Sequence, residues 1–264
     1  MSFWDKYNHA TTLHKSHVCL GLDSDIDLIP KHLLETDNPI WHFNKEIIDA
    51  TKNRVAAYKL NFAFYISSGP AGLDALLKTI KHIPNYVPII LDVKIGDISN
   101  TMVHYGRAFY DYFKVDSLTV NPLMGEDVIT PLLGYEGKLL FALVVTSNRS
   151  SSDFLKQNDL YRRIANKVEK WGEKNVGAVV GATNPKELKE VRSLMPKSLF
   201  LIPGIGAQGG NLLDVVSNTV ASKKTPLILI NSSRGIIFKD NSPKYIDAVV
   251  YETEELRLAI NRLL

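Results

Sequence analysis

The chain is poor in cysteine. Its single one, Cys19, permits no internal disulfide, so the fold has to rest on packing, and it fits a reducing compartment. Neither charge sign is in excess: 31 basic residues against 28 acidic ones leave a formal +3, too little to point to a nucleic acid partner. Long apolar runs are missing as well. None approaches the ~20 residues that a membrane span requires, so no membrane partner is expected. The opening residues, Met1-Ser2-Phe3-Trp4-Asp5-Lys6, do not show the basic-then-apolar pattern of a secretory signal. The expectation is a cytoplasmic protein. No Cys/His cluster with ligand spacing occurs. His14 and His17 form an H-x-x-H with no further ligand nearby and read as surface histidines, so no metal is expected.

What the chain does have is an ordinary apolar share, 45%, laid out in a regular alternation. Residues 3–14 read as a short amphipathic helix that plugs one end of the core. Apolar strands are then expected at 18–23, 55–62, 87–94, 117–121, 139–146, 176–181, 199–204 and 227–231. Helical segments fall between and after them at 39–52, 71–82, 98–113, 127–133, 155–174, 185–194, 211–221 and 243–264. No linker divides the chain. Strands alternating with helices give a parallel sheet, and eight repeats predict an α/β fold, a single (β/α)8 TIM barrel over residues 1–264 with a short N-terminal helix. A doubly wound open sheet offers no natural place for polar residues at so many strand ends.

The chain is organised around Asp92-Val93-Lys94-Ile95-Gly96-Asp97, which follows the apolar run Val87-Pro88-Ile89-Ile90-Leu91. Strand side chains alternate faces, so Asp92 and Lys94 point the same way. Asp97 follows at the turn, and Ser99 or Asn100 is placed to cap the next helix. On this reading two carboxylates bracket one ammonium. Anions hold a lysine protonated, which makes it a poor nucleophile and a well-placed proton donor. A charge trio in an apolar strand needs such a reason. Asp23 and Lys59 also end strands, and catalytic groups of a barrel gather at those C-terminal ends.

The loops after the last two strands are Pro203-Gly204-Ile205-Gly206-Ala207-Gln208-Gly209-Gly210 and Asn231-Ser232-Ser233-Arg234-Gly235. Glycines let backbone N–H groups approach an anion, and barrel phosphate sites sit after strands seven and eight. Arg234 would add a bidentate clamp. The segment 204–209 matches G-x-G-x-x-G spacing, but no acidic residue ends the next strand to hold a ribose, so this is no dinucleotide site.

These motifs together resemble the orotidine 5′-monophosphate decarboxylase family. The stretch 92–97 is similar to its D-x-K-x-x-D signature, and Gly21-Leu22-Asp23, Tyr58-Lys59-Leu60-Asn61 and the two glycine-containing loops match in order along nearly the whole chain. The resemblance implies a cofactor-independent enzyme acting on a small nucleotide. It implies that Asp23 and Lys59 hold the ribose, with Asn61 close by, and that Lys94 protonates C6 of the pyrimidine as carbon dioxide leaves. Asp92 would sit near the departing carboxylate, and Thr146 or Ser147 would bind the base. Gln208 would bridge base and phosphate, with Pro203, Arg234 and Gly235 around the phosphate. It further implies a homodimer in which Asp97, Ile98 and Thr101 reach the neighbouring subunit's site. Relatives that act on sugar phosphates use magnesium and an acidic residue where this chain has Lys59.

Overall fold

The alternation closes into a ring. In the computed structural model, which describes residues 1–205, 209–220 and 226–264, eight parallel strands pair in chain order and the last returns to the first. They are β1 Val18–Gly21, β2 Ala57–Asn61, β3 Ile89–Ile95, β4 Ser117–Val120, β5 Leu139–Val145, β6 Val176–Val180, β7 Phe200–Pro203 and β8 Ile228–Ser232. Each is short, and most are apolar throughout because both faces are covered. One face meets the helical layer, where Leu20, Tyr58, Leu91, Leu118 and Ile230 are buried. The other faces the barrel axis.

The base of the axis is filled from the N-terminus. Helix Phe3–Leu13 opens with a capping box between Ser2 and Asp5, which satisfies two of its free N–H groups. It delivers fully buried Phe3 into a cluster with Cys19, Ala57, Ile90, Phe141, Leu201 and Leu229. Phe3 meets Phe141 edge to face, with ring centroids 6.1 Å apart. Burying one such aromatic is worth roughly 1.5–3 kcal/mol. The expected plug is therefore in place, and polar side chains along the axis are confined mainly to the C-terminal end.

Several sequence expectations need correction. His17 is buried, not at the surface: its Nδ1 lies 3.4 Å from the Tyr7 hydroxyl and 3.3 Å from the Ile228 carbonyl. The helix expected over 98–113 is Ser99–Gly106 followed by a π-helical stretch, Arg107–Tyr112. Its N-cap is Ile98, with no side-chain cap from Ser99 or Asn100; Asp97 instead accepts the Ile98 N–H at 2.7 Å. The helix expected from 155 begins later, as Leu160–Gly172, because Asn158 and Asp159 take positive φ. A short helix, Phe62–Ile66, follows β2 directly, its Ala63 N–H accepted by Asn61 Oδ1 at 3.3 Å. No helix among the described residues is long and apolar enough to cross a membrane.

Candidate active site

A cavity of about 370 Å³ opens at the C-terminal end of the barrel. Asp23, Lys59, Asn61, Asp92, Lys94, Thr146, Ser147, Pro203, Arg234 and Gly235, all anticipated from sequence, line it. They come from loops and strand ends all around the ring, which is what a closed barrel does to residues far apart in the chain.

The charged groups form a row of alternating sign. Lys59 Nζ donates to Asp23 Oδ1 at 3.3 Å and to Asp92 Oδ2 at 3.2 Å. Lys94 Nζ donates to Asp92 Oδ1 at 2.7 Å. Burial works against the Lys59 ammonium, but Asp23 and Asp92 outweigh it and hold its pKa well above the ordinary value. Burial likewise opposes the Asp92 carboxylate. Lys59 first, then Lys94 and a hydrogen bond from Thr119, hold it well below the usual carboxylate range. The oxygens of Asp23 and Asp92 that face one another are thus shared by a cation of the chain itself. Beneath the row, Cys19 is buried in the cluster around Phe3 and burial pushes its thiol up to about 12, so this residue is packing.

Lys94 differs from Lys59 in two respects. Its side chain is 48% exposed against 6%, and its backbone sits at φ +49°, a left-handed conformation that L residues with long side chains seldom adopt. Here β3 departs from its partner: Leu91 pairs with Leu118, and Ile95 with Val120, so two extra residues lie on β3. Gly96 then passes so close to β4 that a Cβ would stand 2.6 Å from the Asn121 carbonyl.

The second carboxylate of the motif is not beside Lys94. Asp97, Ile98 and Thr101 do not line the cavity, and Asp97 contacts its own chain through the Ile98 N–H. The bracketed lysine read from spacing is corrected accordingly: the turn at Gly96 carries Asp97 away, and Lys59 occupies the other side of Asp92 instead. Gln208 lies outside the described residues. Thr146 and Ser147 both line the cavity, joined by Asn148.

The far wall is of another character. Leu143, Val179 and Leu201, the inward residues of β5, β6 and β7, give it an apolar surface. Above them Gly204 and Gly209 take positive φ of 107° and 80°, and the Gly210 N–H donates to the Gly204 carbonyl at 3.0 Å, pinching the loop after β7 at its neck. Arg234 is exposed at the rim, and its guanidinium makes no hydrogen bond or ion pair among the described residues. Sequence reasoning missed Thr119, Asn231 and the apolar wall. Each lies on the inward phase of its strand, and counting by two from Ser117, Leu229, Phe141, Gly177 and Leu199 would have found Thr119, Asn231, Leu143, Val179 and Leu201. Asn231 is buried, with an Oδ1 that meets no partner among the described residues.

A parallel eight-stranded barrel with a charged row on one side of its mouth and an anion-suited rim on the other defines a (β/α)8 enzyme scaffold. The model of the orotidine 5′-phosphate decarboxylase / HUMPS family matches residues 16–248. The orotidine 5′-phosphate decarboxylase of Phocaeicola vulgatus is 41% identical over 95% of this chain and 94% of its own length. Among solved structures, Leishmania donovani OMP decarboxylase superposes with a TM-score of 0.82 at 33% identity, covering 98% of this chain and all of that one. Leishmania donovani UMP synthase gives a TM-score of 0.88 at 34% identity over the whole of this chain, which spans 56% of that longer protein. The chain belongs to the orotidine 5′-phosphate decarboxylase / HUMPS family.

Proposed function

We propose that the chain converts orotidine 5′-monophosphate to uridine 5′-monophosphate and carbon dioxide in pyrimidine biosynthesis, without metal or cofactor. The observation that carries this reading is the Asp23–Lys59–Asp92–Lys94 row, bonded within the chain at the mouth of the cavity. Breaking the bond from C6 to the carboxylate leaves its electron pair on C6, a vinylic carbanion with little delocalisation. A cation already held in place stabilises that charge as it develops, with no reorganisation at the moment of reaction. Lys94 Nζ then transfers a proton to C6, and the neutral amine regains one from solvent. Asp92 holds the ammonium and stands near the departing carboxylate. Asp23, Lys59 and Asn61 receive the ribose hydroxyls. Thr146 and Ser147 meet the base, and Arg234 with Pro203, Gly235 and the loop containing Gln208 takes the phosphate. Binding energy from that remote group serves to order the reacting end.

The working unit on this reading is a homodimer in the cytoplasm. Ile98, Leu123 and Met124 are exposed apolar residues that follow the C-terminal ends of β3 and β4, and β3 also carries the half-exposed Lys94. A second copy covering them would bring its own Asp97, Ile98 and Thr101 to the open side of that lysine. The magnesium-dependent sugar-phosphate relatives are disfavoured by Lys59, whose ammonium stands between Asp23 and Asp92 where a divalent ion would need their oxygens. The ultraviolet loss of orotidine 5′-monophosphate in EDTA-treated buffer tests the reading. Turnover that persists in EDTA supports it. Turnover only with added magnesium, or binding without turnover, overturns it.

A further inference from the structure

Among the described residues, Thr119 is the one neutral side chain that hydrogen-bonds the charged row. It is 1% exposed, on the inward phase of β4, and lines the cavity beside Asp92 and Lys94. Its hydroxyl donates to Asp92 Oδ1 at 2.8 Å and accepts the Lys94 backbone N–H at 2.9 Å. The same Asp92 oxygen accepts Lys94 Nζ at 2.7 Å. One hydroxyl thereby closes a ring that runs from the Lys94 backbone, through Thr119, to Asp92 and back to the Lys94 ammonium.

From this geometry we infer that Thr119 is a positioning residue, fixing the Asp92 carboxylate and the Lys94 backbone relative to each other so that the ammonium is aimed at the reacting carbon. The location explains why such a residue is needed. Between Leu91 and Ile95 the β3–β4 register slips, and the Thr119 hydroxyl takes the Lys94 N–H at that break. Lys94 is also at φ +49°, a conformation that persists only where its surroundings enforce it. Thr119 supplies the enforcing contact and, with its proton, fixes the rotation of the carboxylate that the ammonium grips. A hydroxyl suits both tasks because it donates once and accepts as well. Valine has the same shape and does neither.

This inference rests on the decarboxylation reading for its kinetic test. Wild-type turnover is measured first, and its absence would overturn that reading alone. With active enzyme, Thr119→Val and Thr119→Ala should lower kcat by roughly 10- to 100-fold, the scale of a misplaced reacting group, while KM changes less than about threefold. Thr119→Ser should restore most of kcat, since it keeps the hydroxyl. A structural role would instead lower the melting temperature in step with activity, and serine would give no selective rescue of kcat. Independently of turnover, a crystal structure of Thr119→Val or Thr119→Ala should show the Lys94 Nζ–Asp92 Oδ1 contact opened beyond roughly 3.5 Å or Lys94 out of its left-handed conformation. An unchanged Asp92–Lys94 pair in that structure, kcat within twofold of wild type in either variant, or a rise in KM with kcat intact would each overturn the inference.

Discussion

The two halves of the barrel mouth are built to different rules. Along β1 to β4 the inward groups are Asp23, Lys59, Asp92, Lys94 and Thr119, and each is bonded to another of the set. Along β5 to β8 they are Leu143, Val179, Leu201 and Asn231, with Arg234 at the rim, and among the described residues neither Asn231 Oδ1 nor the Arg234 guanidinium has a hydrogen-bond partner. In the first half the groups of one chain bond to each other, and these partners hold ionised groups that burial alone would neutralise. The second half leaves the Asn231 oxygen and the Arg234 guanidinium without partners among the described residues. A site that must place one cation against one carbon within a few tenths of an ångström needs the former, and a site that must accept and release a phosphorylated nucleotide needs the latter.

Removing the lysine of the charged half should have the largest effect. Lys94→Ala is expected to lower kcat by roughly 10²- to 10⁴-fold, the usual share of a general acid, and to leave the Kd for uridine 5′-monophosphate within about tenfold. Stopped-time product assays and calorimetric titration would check the pair of values. If binding and turnover fell together, the two halves would not be separable.

The rim should respond in the opposite sense. Arg234→Ala is expected to lower kcat/KM for orotidine 5′-monophosphate by about 1.5–3 kcal/mol, the range for a hydrogen bond to a charged group. The same variant should act on a phosphate-free substrate much as wild type does. Equal damage with both substrates would make Arg234 a structural residue.

The smallest effect lies at the base of the barrel, away from both halves, and concerns stability. Burial lowers the His17 pKa to about 4 from the ordinary 6.5. As pH falls, the unfolded chain takes up the proton first, so stability is full above about 6.5 and declines between there and 4. Between pH 7 and pH 5 this amounts to about 2 kcal/mol of unfolding free energy. Urea titrations across that range should show the decline. His17→Leu should flatten most of it, since the Tyr7 hydroxyl keeps its bonds to the Pro226 and Ile228 carbonyls. His14, also depressed by burial, would leave a residual slope.

The halves also differed in how well they could be read from sequence. The charged residues stand out in apolar strands, and their shared face follows from a period of two, so Asp23, Lys59, Asp92 and Lys94 were legible. Thr119, Leu143 and Val179 look like ordinary strand residues and become part of a site only when the ring closes. The position of Asp97 was misread from spacing because two extra residues on β3 and the close approach at Gly96 redirect the chain after Lys94. His17 was misread because a buried histidine between Tyr7 and Ile228 leaves no mark in local composition. The alternation itself was robust, since every strand is covered on both faces and reads as an apolar run.

The central claim is that the charged half is finished by Asp97 of a second copy. Lys94→Ala and Asp97→Asn homodimers, each nearly inactive alone, would be mixed, dissociated in mild denaturant, reassociated and assayed. Random reassortment makes about half of the dimers mixed, and in each of these one site has an intact Lys94 facing an intact Asp97 from the other chain, so activity should return to roughly a quarter of wild type. If mass measurements show that the chains have exchanged and no activity returns, Asp97 acts within its own chain or not at all, and the two-chain site is contradicted.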